Sequence, residues 1–161
     1  MRYIFLFSFL TILNVESSSI IELNNFFSGD LTFTQTSLNK RENSIDESEG
    51  IFLRQDDNSI VIEIISPFEE KYFITEDYIE IHDLEFDQIT KIPKEEYENN
   101  IFISYLLNGF NDLNISIKNN SKSFLISDDK NSYNFEFLNK KTLQVKFKDN
   151  MDVINLIKFY K

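Results

Sequence analysis

The chain has 161 residues, a length that fits one domain. Its 27 acidic residues against 16 Lys and Arg give a formal charge of −11, a field that opposes phosphate and excludes nucleic acid as the default partner. With no Cys, a disulfide framework, a thiolate metal site, a Cys nucleophile and a lipid-modified N-terminal Cys are excluded.

Met1 and Arg2 form a short basic start, and Tyr3 to Val15 is apolar apart from Ser8, Thr11 and Asn14. The run is short for a membrane span and ends in Val15-Glu16-Ser17 with a serine tail. Residues 1–17 therefore read as a secretory signal peptide and 18–161 as a single domain exported to a bacterial periplasm; an N-terminal anchor is the competing reading. Ser19 and Glu22 form a capping box, and Ile20, Leu23 and Phe27 share one helical face up to Gly29, so a helix is predicted from Ser19 to Phe27.

Beyond Leu31 the period is two. It runs through Leu31 and Phe33; Ile60, Ile62 and Ile64; Ile79 and Ile81; Ile115 and Ile117; Tyr133, Phe135 and Phe137; and Val145 and Phe147. Turn chemistry at Asn39 to Ser44, Asp56 to Ser59, Ser66-Pro67, Glu76-Asp77, Ile92-Pro93, Asn119 to Lys122, Asp128 to Ser132 and Lys148 to Asp152 spaces these runs as an antiparallel meander. The 17 Phe and 7 Tyr, beside a complete lack of Ala, favour strands in the same direction. Glu95 to Asn108 is the exception: Ile101, Phe102, Tyr105 and Leu106 form one helical face and Gly109 is placed to end it. A sheet with helices on one side either closes into ordinary core or leaves a greasy cavity beneath a helical lid, and periodicity does not separate these.

The landmarks Phe33-Thr34-Gln35, Gly50, Pro67 and the run Ile79 to Thr90, with His82-Asp83 and Gln88, resemble in type and interval the LolA family of periplasmic lipoprotein carriers. The resemblance implies a mostly β fold with α: a curved antiparallel sheet, an open half-barrel, covered by the Ser19–Phe27 and Glu95–Asn108 helices as a lid. It further implies a monomeric carrier without cofactor, receiving lipoprotein acyl chains from an ATP-driven inner-membrane extractor and passing them to an outer-membrane lipoprotein receptor. The cavity residues expected are Phe33, Ile60, Ile62, Ile64, Phe73, Ile79 and Ile81, and the lid residues Leu23, Phe27, Phe102, Tyr105 and Leu106. Two departures stand out. The family's lid-holding Arg is replaced by Asp56, leaving either no latch or one moved to Arg54, and the chain reaches Lys161 in what matches the family's penultimate strand. A carrier for another amphiphile, or an envelope β domain that binds no lipid, are the alternatives.

Catalytic chemistry has little to build on. The single His82 precedes a turn, where the family pattern allows it, and the carboxylate pairs Asp56-Asp57, Glu69-Glu70 and Asp128-Asp129 fall in turns, where solvated acidic loops are ordinary. No phosphate loop, metal-spaced His set or Ser-His-Asp pattern is present, so a binding protein is expected rather than an enzyme.

Overall fold

The computed structural model describes residues 15–111, 115–118, 123–127, 131–149 and 151–161. Helix α1 (Val15–Phe27) is followed by six strands, β1 (Leu31–Asn39), β2 (Ser44–Arg54), β3 (Ile60–Ser66), β4 (Glu70–Ile74), β5 (Tyr78–Asp83) and β6 (Gln88–Pro93). Two short helices, α2 (Lys94–Tyr97) and α3 (Ile101–Asn108), lead to β7 (Ile115–Lys118), β8 (Ser123–Ser127), β9 (Ser132–Asn139), β10 (Thr142–Lys148) and β11 (Ile154–Tyr160). Among the described residues no helix is long and apolar enough to cross a membrane.

The expected turns separate these strands, except that Ile92-Pro93 lies inside β6, which runs directly into α2, and two further turns are present. Asp83 to Gln88 divides β5 from β6, and Asn139, whose side chain accepts from the Lys141 N–H at 2.8 Å, turns β9 into β10. The turn expected at Asn119 to Lys122 and most of that at Asp128 to Ser132 lie outside the described residues.

Both helical stretches end where expected, at Phe27 and Asn108, and differ before that. Ser19 lies inside α1, which begins at Val15, so the capping box does not mark its start; a residue caps only where the upstream backbone leaves the helix. The single helix expected over Glu95 to Asn108 is split. The Asn100 side chain accepts from the N–H groups of Phe102 and Ile103, both at 3.1 Å, and so restarts the helix as α3.

Every strand pairs antiparallel in one sheet ordered β6-β5-β4-β3-β2-β1-β11-β10-β9-β8-β7. The last strand lies at the centre: β11 pairs with β1 on one side, setting Phe33 opposite Phe159, and with β10 on the other. The sheet is thus continuous across its middle. Three ring-to-ring steps of 5.5, 5.6 and 5.8 Å lead from Phe137 of β9 through Phe26 and Phe27 to Phe52 of β2. The rings of α1 thus bridge the inner face of the sheet from β9 to β2.

Gly50 is required where β1 and β3 crowd against β2. The β2–β3 register shifts between Glu49 and Gly50, and a Cβ at position 50 would lie 2.2 Å from the Glu63 carbonyl oxygen and 2.8 Å from the Phe33 ring. The only residue type without a Cβ lets the Phe33 ring lie across the neighbouring strand.

The inner face and its helical cover

The inner face of the sheet follows directly from register. Phe33 on β1, Phe52 on β2, Ile60, Ile62 and Ile64 on β3, Tyr72 and Ile74 on β4, and Ile79 and Ile81 on β5 point the same way. Their burial is graded along the strands. Phe33, Phe52, Ile60, Ile74 and Ile79 are closed core, whereas Ile62, Ile64, Tyr72, Ile81 and Ile92 pack against that core only in part. The partly covered set forms an apolar groove running from the helices toward the far ends of β3 to β6.

Six of the seven expected cavity residues therefore share this face, of which only Ile62, Ile64 and Ile81 border the groove. Phe73 does not belong to the set. It is opposite Val61 and Glu80 in the ladder, on the outer face, with its ring 4.9 Å from that of His82. Strand alternation puts Tyr72 and Ile74 inward and Phe73 outward, and Tyr72 takes the place expected of Phe73. His82 is likewise on the outer face, 2.6 Å from a Glu80 carboxylate oxygen.

At the groove, the Tyr72 hydroxyl donates to Glu70. Burial first, then the Glu70 carboxylate, hold its ionisation well above the ordinary phenol range. The groove wall thus carries a neutral phenol whose polar end is satisfied by the carboxylate beyond it.

The lid residues Leu23, Phe27, Tyr105 and Leu106 are buried and Phe102 is partly so. Phe27 touches Phe52, Phe110 and Phe159, while Phe102 lies against Tyr133 and Phe135. The helices also hold each other. The Asn24 side-chain amide of α1 donates to the Phe110 carbonyl at 2.9 Å and accepts from the Phe110 N–H at 2.7 Å. Gly109 makes that approach possible: at φ 84° it ends α3 in a conformation that L side chains rarely adopt.

Arg54 joins this assembly to the sheet. Its Nε donates to the Phe27 carbonyl at 3.3 Å, Nη2 to the Leu106 carbonyl at 2.6 Å and Nη1 to the Asn58 carbonyl at 2.9 Å. Phe27 and Leu106 belong to the last turns of α1 and α3, whose carbonyls lack helical partners, so one guanidinium serves both helix ends. Burial lowers the Arg54 pKa from its ordinary value. Asp56 sits exposed in the β2–β3 turn instead. A cleft of about 410 Å³ opens beside Arg54, bordered by Asn24, Ser28, Asn58, Glu76 and Asn108.

Sequence reasoning missed Phe26, Asn24, Phe110 and Tyr72. Tyr72 was accessible from period two counted back from Ile74. Asn24 carried no signal, because its partner is 86 residues away in the chain.

No protein-family model matches the chain, and no curated protein matches it. Among solved structures it is similar to a LolA superfamily protein from Nitrosomonas europaea, at 4% identity and TM-score 0.48 over 90% of this chain and 91% of that one. It is also similar to a Vibrio parahaemolyticus domain described as an outer membrane lipoprotein-sorting protein, at 8% identity and TM-score 0.48 over 91% and 89%.

Proposed function

We propose that this chain is a carrier of lipoprotein acyl chains. In this reading, residues 1–17 direct export and are removed, and the remaining domain works in the periplasm. It takes its cargo from an ATP-driven inner-membrane extractor and delivers it to an outer-membrane lipoprotein receptor. The observation that carries the proposal is the inner face of β3 to β6, where Ile62, Ile64, Tyr72, Ile81 and Ile92 form an apolar surface that the helices cover only in part. Continuing that surface with an acyl chain removes apolar area from water on both sides. At about 0.8 kcal/mol per CH₂, a chain of about 16 carbons left in water costs roughly 12 kcal/mol, so transit between membranes needs such a host.

The helices act as the movable wall. Their grip on the sheet includes a small set of directional bonds, from Arg54 to the carbonyls of Phe27 and Leu106. Breaking that set lets α1 and α3 shift together, because Asn24 keeps them joined. Arg54 thereby takes the latch role two residues before the position that the family pattern assigns. The chemistry is binding rather than catalysis: the imidazole is on the outer face, away from the groove.

The test is titration of the mature protein with a fluorescent fatty-acid analogue and with a tripalmitoylated peptide. Ile62→Glu should weaken both, since the new carboxylate would be desolvated beneath a bound chain. Ile51→Glu, on the outer face of β2, should leave binding unchanged. Equal affinity in wild type and Ile62→Glu would reject the groove as the acyl site.

A further inference from the structure

Two hairpin tips at the far end of β3 to β6 expose large apolar side chains. Ile65 and Phe68 at the β3–β4 turn, and Leu84, Phe86 and Ile89 at the β5–β6 turn, are between 45% and 66% exposed. The tips are adjacent, the Leu84 N–H donating to the Glu69 carbonyl at 3.0 Å. The second turn is tightly held. The Asp83 carboxylate accepts from the N–H groups of Glu85 at 3.0 Å and Phe86 at 2.9 Å, Asp87 takes a positive φ of 51°, and Gln88 resumes pairing opposite Asp83. A single exposed Phe needs no explanation, but five apolar side chains grouped on bonded turns form a presented surface.

The charge around them has one sign. Glu69, Glu85 and Asp87 are exposed between the apolar side chains. Between Ser66 and Ile92 the cations are Lys71, paired with Glu63 at 2.8 Å, and Lys91, whose ammonium lies 3.5 Å from the Tyr78 ring centroid, with His82 held by Glu80.

We propose that the paired tips dock a segment of a partner protein that presents apolar side chains flanked by Lys or Arg. Phe68 and Phe86 supply ring anchors of the kind that dominate interface energies, on turns whose backbone is hydrogen-bonded before binding. The acidic rim attracts a basic partner and repels an anionic lipid surface, which favours protein over membrane as the occupant. Ile65, next to the inward Ile64, and Ile89, opposite His82, lie on the outer face of the sheet, so docking there leaves the inner face free for cargo.

The test uses the whole chain and labelled peptides of alternating Leu and Lys, with a matched Leu and Glu peptide, in low salt. The Leu–Lys peptide should bind at least about tenfold more tightly, and Phe68→Ser/Phe86→Ser should remove at least about tenfold of that affinity. Melting temperature and binding of the fluorescent acyl analogue should be unchanged in the double variant, which separates this surface from the groove. Glu69→Lys/Glu85→Lys should reverse the preference toward the Leu–Glu peptide. Retention of Leu–Lys binding in the Phe variant would overturn the proposal. So would absence of binding by either peptide, or binding to phosphatidylcholine or phosphatidylglycerol vesicles that needs the two Phe while the peptides do not.

Discussion

The two arms of the sheet are written in the same alternation yet are buried differently. On β9, Tyr133, Phe135 and Phe137 are at most 7% exposed; on β3 only Ile60 is closed off, and Ile62 and Ile64 remain half-covered. The helices make the difference. Phe26 meets Phe137, Phe102 meets Tyr133 and Phe135, and Phe110 meets Phe135, so rings from the helical side cover β9 along its length. Over β2 to β5 the cover reaches only one end, where Phe27 meets Phe52 and the Tyr97 hydroxyl donates to the Thr75 carbonyl at 2.9 Å. One arm is therefore a finished core and the other an apolar surface with room for a further apolar partner.

Substitutions can break this contrast. Phe135→Ala, which removes a fully buried ring touching Phe102 and Phe110, should cost about 3–5 kcal/mol in denaturant unfolding. Ile62→Ala on the half-covered arm should cost clearly less, and similar losses at the two sites would end the distinction between core and groove.

Arg54→Ala strips two helix-end carbonyls of their shared donor. Charge-assisted bonds are worth about 1.5–3 kcal/mol each, and because these are partly exposed and coupled, a total loss of about 2–3 kcal/mol is expected. Stopped-flow fluorescence should show faster uptake and release of the acyl analogue. Asp56→Arg, at an exposed turn, should change neither rate.

Ile62→Glu should weaken acyl binding by about tenfold or more, equivalent to about 1.4 kcal/mol. Binding should recover as pH falls, since protonating the introduced carboxylate lifts its desolvation cost. Ile60→Glu, at a fully buried site, should instead unfold the protein. The contrast fails if both variants behave alike.

The smallest effect is expected away from both arms' inner faces. Lys148 and Arg41 hold the exposed Asp152 carboxylate below its ordinary pKa of 3.8. A depressed carboxylate stabilises the fold above its unfolded pKa, and the contribution disappears as pH falls through the folded value. Asp152→Asn should therefore lower the melting temperature slightly at pH 7 and not at pH 2, with the difference screened by salt.

Several elements were legible because they follow from neighbouring residues. Period two along Ile60-Ile62-Ile64 and Tyr133-Phe135-Phe137 marks strands and their inward sets, since alternate side chains on a pleated backbone share a face. Gly50 and Gly109 stand where a close approach or a positive φ demands them. The landmarks from Phe33 to Gln88 implied an open antiparallel sheet with helices on one side, which is the architecture found.

Long-range pairing lies beyond such reasoning. Phe73 went astray because one residue of offset exchanges the faces of a strand, and its face is set by pairing with β3 and β5. The place of β11 between β1 and β10 joins segments more than a hundred residues apart, and nothing in its local pattern distinguishes a central strand from an edge. Arg54 illustrates the same division. The resemblance marks it as a candidate latch, but only the convergence of two helix ends on its strand makes a five-donor side chain their common partner. Local periodicity decides what can be buried; the packing of distant elements decides what is.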